Sequence, residues 1–382
     1  MKDQVWPLVP LGEVVTHRKE FIRIDDLSKY KRCRVQLHTQ GVILRDEVDG
    51  SLIKTKTQQV CRADEFLVAE IDAKMGGFGL VPRELDGAIV SSHYFLFTPK
   101  PEKLNTAFLG YYCRTPAFRD QVTSRGTTNY AAIRPSHVLG YTIPLPSLEE
   151  QQRIVCRIDS LDSKIQEAQV LADKSNLLTN GFLNSFFHRI SLNAPKRPLN
   201  EVAPLVRRPT VVQVSDEYPQ VSVRSFGKGT FHNPPLRGSE ITWQKPFRVH
   251  CGDILSSNIK AWEGAIAVAG PMDHGRFGSH RYLTFVPKLE LVTAQYLCFY
   301  LLSPEGLFHV GESSPGSADR NRTLSAKKLL DIRIPLPPLP MQQQFDSLSA
   351  KVLHAREIRA KTNDALIAML PSILDSAFKG AL

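Results

Sequence analysis

The sequence predicts an α+β protein in which two pseudo-repeated α+β domains are separated by two long helices that form an antiparallel coiled coil. Three observations predict it: an internal repeat, mixed strand and helix signals inside each copy, and a change of hydrophobic period where each copy ends. The boundaries fall at 1–146 and 196–338 for the domains, and at 147–195 and 339–382 for the helices.

The repeat keeps a constant spacing. "LGEV" at 11–14 returns as "LNEV" at 199–202, "FTPK" at 97–100 as "FVPK" at 285–288, and "FLGYYCRTP" at 108–116 as "YLCFYLLSP" at 296–304, each displaced by 188 residues. Ile53, Ile71 and Gly76 return likewise as Ile241, Ile259 and Gly264. From about Ile133 and Leu324 the displacement is 191, so the second copy has gained three residues in the loop before that point. "IPLPSLEEQQRI" at 143–154 is then echoed by "IPLPPLPMQQQF" at 334–345, and "FLNSFFH" at 182–188 by "ILDSAFK" at 373–379.

Within a copy, "EFLVAEID", "AIVSSHYFLFTP" and "EITWQKPFRVHCGDILSS" are rich in β-branched and aromatic residues between Gly and Pro breaks, which predicts short strands. "NTAFLGYYCRTPAFRDQV" and "TAQYLCFYLLSPEGLF" place apolar residues at helical spacing, which predicts one packed helix in each. After each "IPLP", whose prolines end the last strand in an extended segment, the period becomes that of a heptad seam. Ile154, Ile158, Leu161, Ile165, Ala168, Ala172, Ser175, Thr179, Phe182 and Phe186 form the first seam. Phe345, Leu348, Val352, Ala355, Leu366, Met369 and Ile373 form a second, interrupted by Arg359 and Thr362. A lone seam cannot bury itself, so each helix is expected to pack on its repeat partner, or else along its own domain. Gly181 is costly inside a helix and predicts an end or kink there.

Composition bounds the class. A chain of 382 residues exceeds one ordinary core, and 42% hydrophobic with 23% charged residues describes a globular protein, not a disordered one. With no apolar run of about 18 residues and no apolar signal core at its start, the chain is expected in the cytoplasm. Six scattered cysteines without a C-x-x-C pair are expected to be inert thiols, and no metal site is expected. The net charge of +10 is concentrated in the two domains, +4 over 1–146 and +6 over 196–338, which suits nucleic-acid-facing surfaces or merely basic solvated ones. Two basic domains on a helical spacer suit duplex DNA read in two unlike parts with a gap between them.

The strongest contact candidates lie in "SRGTTNYAAIRPSH" and "SSPGSADRNRTLSAKK", at 124–137 and 313–328. Arg125, Thr127, Thr128, Asn129, Tyr130, Arg134, Arg320, Asn321, Arg322 and Lys327 carry the donors and acceptors for base edges and phosphates. Lys54, Lys56, Lys74, Arg224, Lys228, Lys245, Lys260, Arg276 and Arg281 form a second set, and Trp262 is either a core or a DNA-facing aromatic. His93 and His280 are expected to be structural residues of equivalent strands. Gln151, Gln152, Ile154, Ile158, Leu161, Gln342, Gln343, Phe345 and Val352 mark helix faces expected to dock partners.

Catalytic readings fare worse. "NPPL" at 233–236 lacks both the aromatic and the leading buried strand of an adenine-methyltransferase motif, and no G-x-G-x-x-G follows a strand, so it is expected to be a proline turn. "SFGKGTFHNPP" is expected to be a loop offering amides and Lys228 to phosphate. Asp72 and Lys74 find Lys260 and Trp262 at the equivalent places, which argues against a shared metal reaction.

The twice-used "IPLP", the helix starts "LEEQQRIVCRIDSLDSKI" and "LPMQQQFDSLSAKVLHAREI", the terminal "SILDSAFKGAL", and "GDILSSNIKAWEGAIAVA" and "EFLVAEIDAKMGGFGLVP" within the domains together resemble the DNA-specificity subunits of type I restriction-modification systems. The resemblance spans essentially the whole chain. It implies two target recognition domains and a coiled-coil spacer, with no catalysis by this chain. It also implies two methyltransferase subunits and restriction/translocase subunits as partners, which bind S-adenosylmethionine, ATP and Mg2+. A self-contained DNA methyltransferase or nuclease, or a repeat adaptor for acidic proteins, is the alternative.

Overall fold

A computed structural model describes residues 6–123, 132–241, 245–316 and 322–380. They divide into two compact units, one of residues up to 173 with those from 360 onward, the other of 174–359.

In the first unit a four-stranded sheet runs in the order Val15–Arg18, Tyr94–Pro99, Phe66–Ala69, Phe78–Leu80. A five-stranded sheet runs Phe21–Arg23, Thr57–Val60, Ile89–Val90, Lys29–Gln36, Gly41–Asp49. The second unit repeats the topology: Tyr282–Phe285, Ile254–Ser257, Ile266–Val268 in one sheet, and Phe247–Arg248, Phe277–Gly278, Glu217–Val223, Thr230–Arg237 in the other. Two strands of the first copy shrink to single bridges in the second, Leu205 to Phe285 and Pro209 to Phe247. Pro204 and Pro209 stand in that stretch, and a residue without an N–H cannot extend the ladder.

Hydrogen bonds obey the two displacements as well. Leu11 donates to the Tyr141 carbonyl at 2.7 Å and Leu199 to that of Ile332 at 2.8 Å; Lys100 donates to Val14, and Lys288 to Val202, both at 2.8 Å. Each unit also buries one carboxylate at the same register. Glu65 takes Arg18 Nε at 2.5 Å, and Asp253 takes Arg208 at 2.6 Å. Charge-assisted bonds of this kind make burial of the acid tolerable.

The stretches expected to hold one packed helix each hold two, Thr106–Cys113 with Pro116–Thr123 and Ala294–Leu302 with Pro304–Glu312. Pro116 and Pro304 cannot continue a helix but suit its first turn. "NPPL" is no turn: it lies in the strand Thr230–Arg237, at the edge of its sheet, where the register slips between Tyr218 and Gln220. Edge position and irregularity together accommodate Pro234 and Pro235. The turn of "SFGKGTFHNPP" is confined to 225–229, and His93 and His280 sit in turns before the strands Tyr94–Pro99 and Tyr282–Phe285 instead of in them.

The long helices span Leu148–Ser191 and Leu339–Phe378, 44 and 40 residues. The first is continuous through Gly181, which has open space around the site of a Cβ, so the expected end does not occur. Within the first unit the start of the central helix (Ile154, Val155, Ile158) shares one apolar core with the end of the C-terminal helix (Leu374, Ala377), and Phe378 packs on Phe108 and Tyr112. Within the second, Leu183, Phe186 and Phe187 share a core with Phe345 and Val352, near the start of the C-terminal helix. Start meets end in both, so the pairing is antiparallel, and neither helix lies only on the domain that precedes it. The seam differs in three places: Phe182 is 58% exposed while Leu183 is buried, because Leu183 faces the second unit's core, and Met369 is exposed while its neighbour Leu370 packs on the first unit's core. Arg359, read as an interruption, is a seam residue donating to Asn176 at 3.1 Å and Thr179 at 3.4 Å.

Candidate nucleic-acid interface

Three loops converge in each unit through backbone bonds found twice. The hairpin between Lys29–Gln36 and Gly41–Asp49 turns through His38 and Thr39 at φ 58° and 59°; its counterpart turns through Phe226 and Gly227, both at φ 63°. Left-handed backbone is unfavourable for side chains with a Cβ, most of all for β-branched Thr39, and persists only where neighbours impose it. Here His38 donates to Met75 at 2.7 Å and Thr39 to Gly76 at 3.0 Å, while Phe226 donates to Glu263 at 2.8 Å and Gly227 to Gly264 at 2.9 Å. The acceptors lie on short helical turns, Asp72–Met75 and Ala261–Glu263, closed by left-handed Gly76 and Gly264. The third loop is tied on by Ile133 donating to Glu70 at 3.0 Å and Leu324 to Asn258 at 2.6 Å.

On this common frame the side chains differ. Asp72 and Lys74 of the first unit stand next in sequence to exposed Ile71 and Met75, whereas Lys260 and Trp262 stand at their places in the second. Trp262 donates its Nε1–H to the Ile259 carbonyl at 3.1 Å and carries two cations over its ring, Lys260 at 5.3 Å and Arg322 at 4.8 Å from the centroid. Lys260 pairs with Glu263 at 2.6 Å and holds that carboxyl below the usual range. A concavity of about 330 Å³ beside them is lined by Gln220, Ser222, Ser257, Lys260, Arg281 and Tyr282, among others.

Of the expected contact residues, Arg125, Thr127, Thr128, Asn129, Tyr130, Arg320 and Asn321 lie outside the described residues. Arg134 is exposed just before the helix Pro135–Leu139, and Lys327 is exposed on the helix Ala326–Leu330. Lys260, Arg281 and Arg322 come together as above. Arg224 lies over Phe231 at 5.1 Å and Lys228 over Phe226 at 5.8 Å, on the hairpin that the Trp262 turn supports. Lys54 and Lys245 are exposed; Lys56 is tied to Asp26 and to the Gly50 carbonyl, and Arg276 to the Met272 carbonyl. Lys74 is partly buried on its turn.

At the helix starts, Gln151, Gln342, Ile154, Ile158, Phe345 and Val352 are buried in their own units, Leu161 is half-buried, and Gln152 and Gln343 are exposed. Sequence reasoning followed the seam and missed the outward apolar side chains of the central helix, among them Leu177 and Leu178, each 72% exposed. Their signal was present as apolar residues off the heptad.

The fold and its two unlike loop faces define a class: a doubled α+β module joined by long helices. Residues 6–173 match the family model "Type I restriction modification DNA specificity domain". Along its whole length the chain is similar in fold to the HsdS subunit from Thermoanaerobacter tengcongensis, with 23% identity, a TM-score of 0.60, and 99% of this chain and 98% of that one covered. It is also similar to a chain in a structure concerned with complex assembly and conformational transition of the type I R-M system, with 22% identity, a TM-score of 0.71 and 99% of each chain covered. Among curated proteins no sequence matches.

Proposed function

We propose that this chain is the specificity subunit of a type I restriction-modification complex. It reads an asymmetric, two-part site on duplex DNA and directs partner adenine methyltransferase and ATP-driven translocating endonuclease subunits to it. The observation that carries the reading is one loop frame, bonded alike in both copies, presenting unlike side chains at equivalent positions, Asp72 against Lys260 and Lys74 against Trp262. A duplicated frame with different contact groups suits a target whose two parts differ in sequence. Arg125, Asn129, Arg134, Arg320 and Asn321 join Lys260, Arg281 and Arg322 as the groups that meet the duplex.

In this reading the chemistry belongs to the partners, which bind S-adenosylmethionine, ATP and Mg2+. The outward apolar residues Leu177, Leu178 and Phe182 of the central helix, all in the second unit, support docking of those partners, since isolated chains seldom expose such a group. A cytoplasmic location fits DNA as the substrate, and among the described residues no helix is long and apolar enough to cross a membrane. The test is adenine methylation of duplex DNA by this chain, by a cognate modification subunit, and by both. Methylation is expected only from the mixture; methylation by this chain alone contradicts the reading.

A further inference from the structure

We infer that Arg322, held against the face of Trp262, reads a guanine in the half-site taken by the second domain, with Trp262 as its positioning residue. The inference rests on the function proposed above.

The two cations on the Trp262 ring are not equivalent. Lys260 is neutralised by Glu263 at 2.6 Å, and Glu263 also accepts the Ser225 hydroxyl at 2.9 Å. Arg322 makes no ion pair among the described residues, and its Nε, sealed from solvent, has no hydrogen-bond partner among them. A group that is always charged and offers five donors is here held over an aromatic face, with no acceptor for its Nε among the described residues. Its platform is fixed, because the indole N–H is bonded to the Ile259 carbonyl and the turn beneath it is closed by Gly264.

A fixed aromatic face beneath it restrains the guanidinium, which favours bidentate pairing with guanine O6 and N7; a phosphate is served as well by a mobile lysine. The adjoining concavity shares Lys260 and adds Gln220, Ser222, Ser257 and Arg281 for neighbouring base edges and phosphates. In the first domain Lys74 occupies the place of Trp262, so this platform serves one half of the site only.

The test maps the methylated motif in cells carrying the full complex with wild-type chain, Arg322→Lys, Trp262→Phe or Trp262→Ala. Arg322→Lys keeps the charge and loses the fork: preference for guanine at one position of one half is expected to fall about tenfold to a hundredfold, with the other half and the gap unchanged. Trp262→Ala relaxes the same position and Trp262→Phe relaxes it less. An unchanged motif in Arg322→Lys overturns the inference. So does an even loss of methylation across all sites, the mark of a phosphate contact. If a variant fails to assemble with the modification subunit, Trp262→Phe, the mildest change, decides by the same criterion. A wild-type complex that yields no two-part motif contradicts the proposed function itself.

Discussion

Gln151 accepts the backbone N–H of Asn105 at 2.8 Å, and its amide donates to the carbonyls of Lys103 at 3.0 Å and Pro146 at 2.9 Å. Gln342 makes the same three bonds, to Thr293 at 3.0 Å, Leu291 at 3.0 Å and Pro337 at 2.8 Å. Both glutamines are wholly buried, so in each unit one side chain joins three places: the segment before the packed helix, the proline-stiffened strand end, and the start of a long helix.

Gln151→Leu keeps the volume and leaves three backbone groups without partners, so it is expected to cost about 2–4 kcal/mol in denaturant unfolding. Gln342→Leu is expected to cost a similar amount. Gln343→Leu, at an exposed position, is expected to stay within about 0.5 kcal/mol.

The two left-handed glycines are expected to differ in tolerance. A Cβ on Gly76 meets the Thr39 backbone nitrogen at 2.7 Å, whereas on Gly264 its nearest neighbour is the tip of Leu302 at 3.3 Å. Gly264→Ala is expected to cost about 1–2 kcal/mol, the left-handed penalty alone. Gly76→Ala adds a backbone clash and is expected to lower the melting temperature clearly more.

Cys33 and Cys61 bring their sulfurs to 3.5 Å in the first unit's core. Their counterparts at a displacement of 188 are Val221 and Val249, buried together in an apolar cluster. The double variant Cys33→Val, Cys61→Val is therefore expected to cost less than about 1.5 kcal/mol by thermal unfolding. A larger loss would show that the thiols contribute more than packing.

Burial raises the carboxyl of Asp346 above its usual range, against bonds from Thr293 and the Tyr296 backbone that act the other way. An acid whose folded pKa is raised stabilises the fold below its unfolded pKa and loses that contribution as pH rises through the folded value. Asp346→Asn is thus expected to match the wild type in acid and to melt higher at neutral pH. An advantage that shrinks as pH rises contradicts this account.

The repeat was legible because it is written in residues that make backbone bonds: the displacements of 188 and 191 recur in the pairs Glu70–Ile133 and Asn258–Leu324. The heptad seams were legible from period except at Phe182, Arg359 and Met369. Less was legible where one residue serves two structures. Pro116 and Pro304 looked like parts of one helix and begin a second, and Pro234 and Pro235 looked like a turn and sit in an edge strand. The candidate site showed its residue types in sequence but not their grouping. Arg322 and Trp262 are sixty residues apart and meet where Leu324 is bonded to Asn258. In sequence Gln151 and Gln342 suggest docking residues, because burial of an amide by backbone groups leaves no mark on periodicity.

The most direct test is the sequence of the methylated sites in DNA from cells carrying this chain with its modification subunit. The account predicts one adenine-methylated motif made of two different short parts at a fixed spacing, absent when either chain is missing. A continuous motif, or a palindrome with identical halves, would contradict it.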